Sequence, residues 1–329
     1  MRIAIDVMGG DHAPEALVEG ALAAAAEWPD TRLLLVGAED KISPLLEGKA
    51  AANVEVVHAA EVIGPDEEPV RAIRRKKDAS MAVAGRLVRD GEADAMISAG
   101  NTGALMTAGL LVVGRIAGIE RPALAPIVPT VDGVGVLALD LGANMDARPE
   151  HLEQYARMGS LYREKVHGLK APKVGLLNVG TEARKGNELT KQAYDLLEAS
   201  PVAFIGNVEA RDVMRRNCDV LVCDGFAGNI MLKAMEGTAG TIMGVLKQEF
   251  QRNWLTKLAA AVMMPGLRGL RQTMDYKEHG AAPLLGVNGL VMKSHGSSDA
   301  KAVKNAVRQA RVALQGNLIE TITSQISGK

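Results

Sequence analysis

Cysteine is almost absent: Cys218 and Cys223 are the only two in 329 residues, and the four residues between them suit neither a zinc knuckle nor a redox pair. A disulfide scaffold is therefore excluded. No window holds 18 uncharged apolar residues, and the apolar run near the amino terminus, within MRIAIDVMGG, is too short for a secretory leader. The expectation is a cytoplasmic chain that does not span a membrane. Excess charge of one sign is also lacking: 38 basic against 39 acidic residues leave a formal net charge of −1, which argues against a nucleic-acid partner. Aromatic residues make up only 3%. With 35 glycines and 15 methionines, the core has to be assembled from small aliphatic side chains joined by tight turns, as in α/β enzymes.

What is present is an alternation. Short aliphatic runs at 3–7, 33–36, 54–57, 95–98, 134–139, 174–179, 202–205, 220–223 and 290–292 each end in or near glycine, asparagine or aspartate, as parallel strands buried on both faces do. Between them, apolar spacings of three and four predict helices over 14–27, 79–89, 102–115, 149–164, 188–198 and 228–251. The pattern predicts a doubly wound α/β sheet, with one long capped helix over 299–323 packed back on it. No internal repeat breaks the chain, so 1–329 reads as a single domain.

In such sheets ligands bind where strands end and helices begin. Five polar, glycine-bearing turns follow predicted strands, and if gathered on one sheet edge they make an anion or phosphate site. They carry Gly9, Gly10, Asp11 and His12; Ser98, Gly100, Asn101, Thr102 and Gly103; Asn144; Asn178, Gly180 and Thr181; and Asp224, Gly225, Gly228 and Asn229. No phosphate-loop lysine motif, dinucleotide fingerprint, nucleophile elbow or metal-ligand spacing is written, so no cofactor and no metal are expected. His12 and His295 lie in glycine- and serine-rich stretches, where each is either a turn histidine or a functional one.

The segments DVMGGDHAP (6–14), SAGNTGALMTAG (98–109), RPALAP (121–126), DLGAN (140–144), LLNVGTE (176–182), KGNELTK (185–191), CDGFAGNIMLK (223–233), APLLG (282–286) and HGSSDAKAV (295–303) run in order along the chain. Together they resemble the motif set of the bacterial phosphate acyltransferases of phospholipid synthesis. Departures are slight: Ala210 and Ala281 stand where glycine is common, and Ala183 where an acidic residue is. The resemblance implies a three-layer α/β/α fold similar to isopropylmalate dehydrogenases and phosphotransacetylases, and a homodimer. It implies reversible transfer of a fatty acyl group from acyl carrier protein to inorganic phosphate, giving acyl phosphate for a membrane glycerol-3-phosphate acyltransferase.

That chemistry suits the residues. Phosphate is already a nucleophile, so no covalent intermediate is needed, and the site has to position two anionic partners and stabilise an oxyanion. Backbone N–H groups at Asn101–Gly103 and at Gly228–Asn229 are candidate donors, with Lys233 one helical turn beyond Asn229 and Lys185 in the loop after LLNVGTE. His12 or His295 is expected to protonate the leaving thiolate. A basic run, Arg71, Arg74, Arg75, Lys76 and Lys77, reads either as a solvated helix face or as the dock for acidic acyl carrier protein. Finally, residues 246–275 read as an amphipathic helical hairpin turning at Pro265–Gly266. Trp254, Leu258, Val262, Met263, Leu267, Arg268 and Arg271 on it either enter a dimer interface or touch an anionic membrane at its inner, cytoplasmic face.

Overall fold

The computed structural model describes residues 1–49, 51–273 and 280–326, with the side chains at 265, 267, 268 and 270–273 outside the description. In chain order the first half comprises β1 (Arg2–Asp6), α1 (Glu15–Glu27), β2 (Arg32–Gly37), α2 (Glu39–Leu46), β3 (Val54–His58), α3 (Pro69–Arg75), α4 (Ser80–Arg89), β4 (Ala95–Ser98), α5 (Thr102–Ala108), a π-helical turn (Gly109–Val113) and β5 (Ala123–Leu124). Next come β6 (Ile127–Val128), β7 (Val136–Leu139), α6 (Pro149–His167), β8 (Lys173–Asn178), α7 (Glu188–Ala199), β9 (Ala203–Glu209), a 3-10 turn (Ala210–Arg215), β10 (Val220–Val222), α8 (Gly225–Gln251) and α9 (Trp254–Thr273). The chain closes with β11 (Ala281–Leu285), β12 (Leu290–Ser294), α10 (Ala300–Gln315) and α11 (Leu318–Ile326).

The strands form two sheets, ordered β3-β2-β1-β4-β12-β11-β5 and β6-β7-β10-β8-β9. Pairing is parallel except for β11, antiparallel to both neighbours, and the β6–β7 pair. The two sheets are joined by one extended segment: Leu124 pairs with Leu284 in the first, and three residues on Ile127 pairs with Leu137 in the second. One apolar core nevertheless runs through both, holding Ile3, Ile5 and Leu33 together with Leu137, Leu139 and Val174. Its small side chains let helices approach closely. A Cβ at Gly20 of α1 would lie 2.6 Å from the Ala300 carbonyl oxygen of α10, so only glycine fits that crossing.

The nine expected strands and six internal helices are present, with shifted ends. The very short β5 and β6, the proline-bearing β11, and α2 and α3 carry too little periodicity to be read from sequence. Two boundaries differ from expectation. The carboxyl-terminal helix is two helices, broken where Asn317 adopts a left-handed φ of 49° after Gly316. The hairpin turns at Arg252–Asn253, and α9 runs straight through Pro265 and Gly266. A reciprocal cap explains the turn: the Thr256 N–H donates to Asn253 Oδ1 at 3.0 Å, and the Asn253 N–H donates to Thr256 Oγ1 at 3.1 Å. Among the described residues, no helix is long and apolar enough to cross a membrane.

Candidate active site

The five turns do not share one sheet edge. Those after β1 and β4 belong to the first sheet, which also carries the His295 loop after β12, and those after β7, β8 and β10 belong to the second.

In the first sheet the loops meet around Asp6, which is fully buried. Ser98 Oγ donates to Asp6 Oδ2 at 2.6 Å, the Met8 N–H donates to Oδ1 at 3.2 Å, and the Gly100 N–H donates to Ser98 Oγ at 3.0 Å. Burial pushes the Asp6 carboxyl above its ordinary range, against the hydrogen bonds from Ser80, Ser98, Met8 and Gly9. Gly9 packs so tightly that a Cβ would sit 2.7 Å from the Gly100 nitrogen. The Asp11 N–H donates to the Gly296 carbonyl at 2.8 Å, which ties in the third loop.

The Asn101 side chain is committed to structure. Its Oδ1 accepts from the Ala104 N–H at 3.0 Å, capping α5, and its Nδ2 donates to the Pro65 carbonyl at 2.8 Å. The N–H groups of Thr102 and Gly103, in the first turn of α5, have no acceptor among the described residues. His295 Nδ1 accepts from the Ser297 N–H at 3.2 Å, and burial followed by the nearby Lys293 ammonium pushes the imidazole below its ordinary value. His12 is exposed, and its carbonyl receives the Ala16 N–H.

In the second sheet the counterpart of Asp6 is Asp140, also fully buried, at the end of β7. It accepts from the Ala143 N–H at 3.1 Å, the Asn144 N–H at 2.5 Å and Asn144 Nδ2 at 3.0 Å. Burial pushes its carboxyl up to about 6. Asn144 passes this order on, its carbonyl receiving the Gly225 N–H at 3.0 Å, while Asp224 Oδ1 caps α8 by accepting from Phe226 and Ala227 at 3.0 and 2.9 Å. With the Gly228 N–H donating to the Asp224 carbonyl, the amides at the start of α8 are all engaged, so the backbone donors expected at Gly228 are used internally. What α8 offers is side chains: Asn229, against Gly142, and the exposed Lys233, paired with Glu236 at 3.0 Å.

The two groups approach each other at His295, which is near enough to α8 to feel the charges of Glu236 and Lys233. The turn after β8, the strand beside β10, is tied within itself. Asn178 Nδ2 donates to the Lys185 carbonyl at 3.1 Å, Lys185 pairs with Glu182 at 3.9 Å, and the exposed Thr181 and neighbouring Gly180 stand beside them. Both cysteines are buried thiols, burial pushing Cys218 up to about 12 and Cys223 well above its ordinary value, so neither is a nucleophile.

Outside the turns, α3 exposes Arg71, Arg74 and Arg75 while Ala72 and Ile73 face inward. Lys76 is held back, its Nζ donating to the Val62 carbonyl at 2.8 Å and pairing with Glu67 at 2.6 Å; Lys77 is exposed. This helix abuts the first cluster, since a Cβ at Gly103 would lie 2.7 Å from Pro69 Cγ. On α9, Trp254, Leu258, Val262 and Met263 are 73%, 60%, 77% and 53% exposed, and Leu267, Arg268 and Arg271 fall among the side chains outside the description. A cavity of about 860 Å³ beside the Asn144 loop, lined by Arg115, Arg121, Arg148 and His151 among others, was not foreseen. Its residues are scattered over 110–151 with no motif to gather them.

The fold is that of the phosphotransacylases. It matches the EutD phosphotransacetylase from Staphylococcus aureus with a TM-score of 0.57 at 18% identity, over 95% of this chain and 94% of that one. The family profile described as "Fatty acid synthesis protein" matches residues 1–321. The phosphate acyltransferase of Geobacillus thermodenitrificans is 56% identical over 99% of both chains, and that of Brevibacillus brevis 57% identical over 99% of this chain and 97% of its own. The chain belongs to the phosphate acyltransferase family and is an acyltransferase of lipid synthesis.

Proposed function

We propose that the chain moves a fatty acyl group, reversibly, from the thioester of acyl carrier protein to inorganic phosphate, and that the reaction takes place between the two turn clusters. The observation that carries this reading is the nearness of His295, in the β12–α10 loop, to Lys233 and Glu236 of α8, which brings polar groups of both sheets within electrostatic reach of one another. Phosphate binds at Lys233 and Asn229, with Lys185 and the Asn178–Thr181 turn at its margin. The open amides of Thr102 and Gly103 receive the oxyanion, each such donor contributing a few kcal/mol to the barrier. Asp6, Asp140 and Asp224 orient loops and helix ends, a task that buried carboxylates accepting several N–H bonds perform well and that direct contact with phosphate would forbid.

The exposed arginines of α3 support docking of acidic acyl carrier protein beside the Asn101 turn. The exposed apolar side chains of the hairpin support contact with an anionic membrane surface, and those of α8, Ile242, Met243 and Val245, support a homodimer. Lipid contact would hold the enzyme at the inner face of the membrane, next to the glycerol-3-phosphate acyltransferase that consumes acyl phosphate. The test is thiol release from palmitoyl-acyl carrier protein with and without phosphate. Release that depends on phosphate supports the reading; phosphate-independent hydrolysis overturns it.

A further inference from the structure

Among the described residues of the first cluster, Lys293 is a half-buried cation. It lies in β12 directly opposite Ser98 in the parallel register with β4, and Ser98 lies in turn opposite Asp6 of β1. Its Nζ donates to the carbonyls of Ala99 and Ser294, which leaves one N–H direction without an acceptor among the described residues. The surrounding loops carry Gly9 to Asp11, Ala99 to Gly100 and His295 to Gly296, and the Thr102–Gly103 amides open the helix that follows the second of these. Resting on the acyl transfer proposed above, we propose that Lys293 is the acid that protonates the leaving thiolate and then recovers its proton from the phosphoryl group.

The balance is as follows. An oxygen of the hydrogen phosphate dianion attacks the thioester carbonyl carbon, forming a C–O bond. The tetrahedral intermediate collapses, the C–S bond breaks, and its electron pair stays on sulfur. The Lys293 ammonium gives a proton to that sulfur, and the neutral amine takes the proton that entered on phosphate. Acyl phosphate leaves as a dianion, the carrier leaves as a thiol, and the lysine is charged again.

Two further observations favour Lys293 over the histidines. Partial burial pushes its ammonium down to about 8, opposed by the carboxylates of Asp6 on β1 and Asp11 in the following turn. That places it close to the range of an alkyl thiol, where proton exchange with sulfur is most effective. His295, beside it and near enough to feel Lys233 and Glu236 of α8, is likewise pushed below its ordinary value, toward the neutral ring, which is a poor proton donor. Lys293 carries no motif signal, which is why sequence alone passed it over.

The full-length enzyme and its Lys293→Met and Lys293→Arg variants are compared on octanoyl thioesters of pantetheine and of 4-nitrothiophenol, at saturating phosphate from pH 6 to 9.5. A general acid contributes on the order of 10²-fold or more. The methionine variant is expected to lose that much kcat on the pantetheine thioester and to keep most of its rate on the nitrothiophenyl one, whose thiolate leaves without a proton. The arginine variant, charged but unable to release a proton, is expected to lose the alkaline fall of the wild-type profile. Should the methionine variant fail to fold, the arginine profile decides alone. Equal losses on both thioesters, or a variant profile that keeps the wild-type ionisation, overturns the assignment. A wild type whose thiol release ignores phosphate would instead overturn the acyl-transfer reading.

Discussion

Gly228 is where α8 meets the second sheet, and adding one methyl group there tests how tightly the site is set. A Cβ at this position would lie 2.2 Å from the Asp140 carbonyl oxygen, 2.7 Å from Cys223 Sγ and 2.8 Å from Leu141 Cδ2. The first of these is backbone and cannot rotate away, so Gly228→Ala has to push the start of α8 off the β7 turn. Overpacking of this kind costs about 1–3 kcal/mol, and at about 1.5 °C per kcal/mol for a chain of this size the melting temperature should fall by roughly 1–5 °C. Activity should suffer more than stability, because Asn229 and Lys233 travel with the helix, and a displacement of about 1 Å costs on the order of 10²-fold in rate. Gly237, nine residues further along the same helix, is the control: a Cβ there meets nothing within 4 Å. Gly237→Ala should stabilise by about 0.5–1 kcal/mol through helix propensity and leave turnover unchanged. Differential scanning fluorimetry and thiol release read both variants. A Gly228→Ala enzyme with wild-type melting and kinetics would refute the close approach and the positioning argument with it.

The remaining predictions concern charge and surface. The Asp140 carboxyl rises from its ordinary 3.8 to about 6 in the folded chain, so the native state binds more protons between those values, and stability should fall as pH rises through that window. The contribution is about 3 kcal/mol, present below pH 4 and lost by pH 6, and Asp140→Asn should flatten that part of the melting-temperature profile. Lys233→Ala should lower turnover at limiting phosphate while leaving the melting temperature within a degree or so, since its only described partner is the exposed Glu236. Reversing Arg74 and Arg75 to Glu should raise the apparent KM for acyl carrier protein, and added salt should weaken the wild type in the same way; an unchanged KM at low salt returns α3 to a solvated face. Leu258→Glu with Val262→Glu should abolish sedimentation with anionic vesicles while soluble activity and native mass persist, whereas a change in native mass would assign these residues to a protein interface.

The parallel strands were readable because burial on both faces writes them as unbroken aliphatic runs, and the turn residues because they follow those runs. The division into two sheets was not, since it hinges on the few residues between Leu124 and Ile127, which cross from one sheet to the other with no periodicity of their own. Motif reading located Asn229 and Lys233 correctly on the first turns of α8, yet the engagement of the α8 amides depends on the Asn144 carbonyl, contributed from about eighty residues away. Lys293 shows the same limit more sharply. Its setting arises from parallel register with Ser98 and the nearness of Asp6, neither of which leaves a mark in the local sequence KSHGSS. The hairpin was placed by its apolar spacing, but its turn was misplaced because Pro265–Gly266 is a stronger turn signal by composition than the Asn253–Thr256 cap that forms it.

The central claim is that the acyl group ends on phosphate, and one isotope measurement tests it. The full-length enzyme is incubated with palmitoyl-acyl carrier protein and phosphate labelled with oxygen-18 at every position, and the acyl product is analysed by mass spectrometry. The account predicts palmitoyl phosphate retaining all the labelled oxygens, with one carrier thiol released per acyl phosphate formed. Free palmitate as the sole product, with the label left in inorganic phosphate, would contradict it.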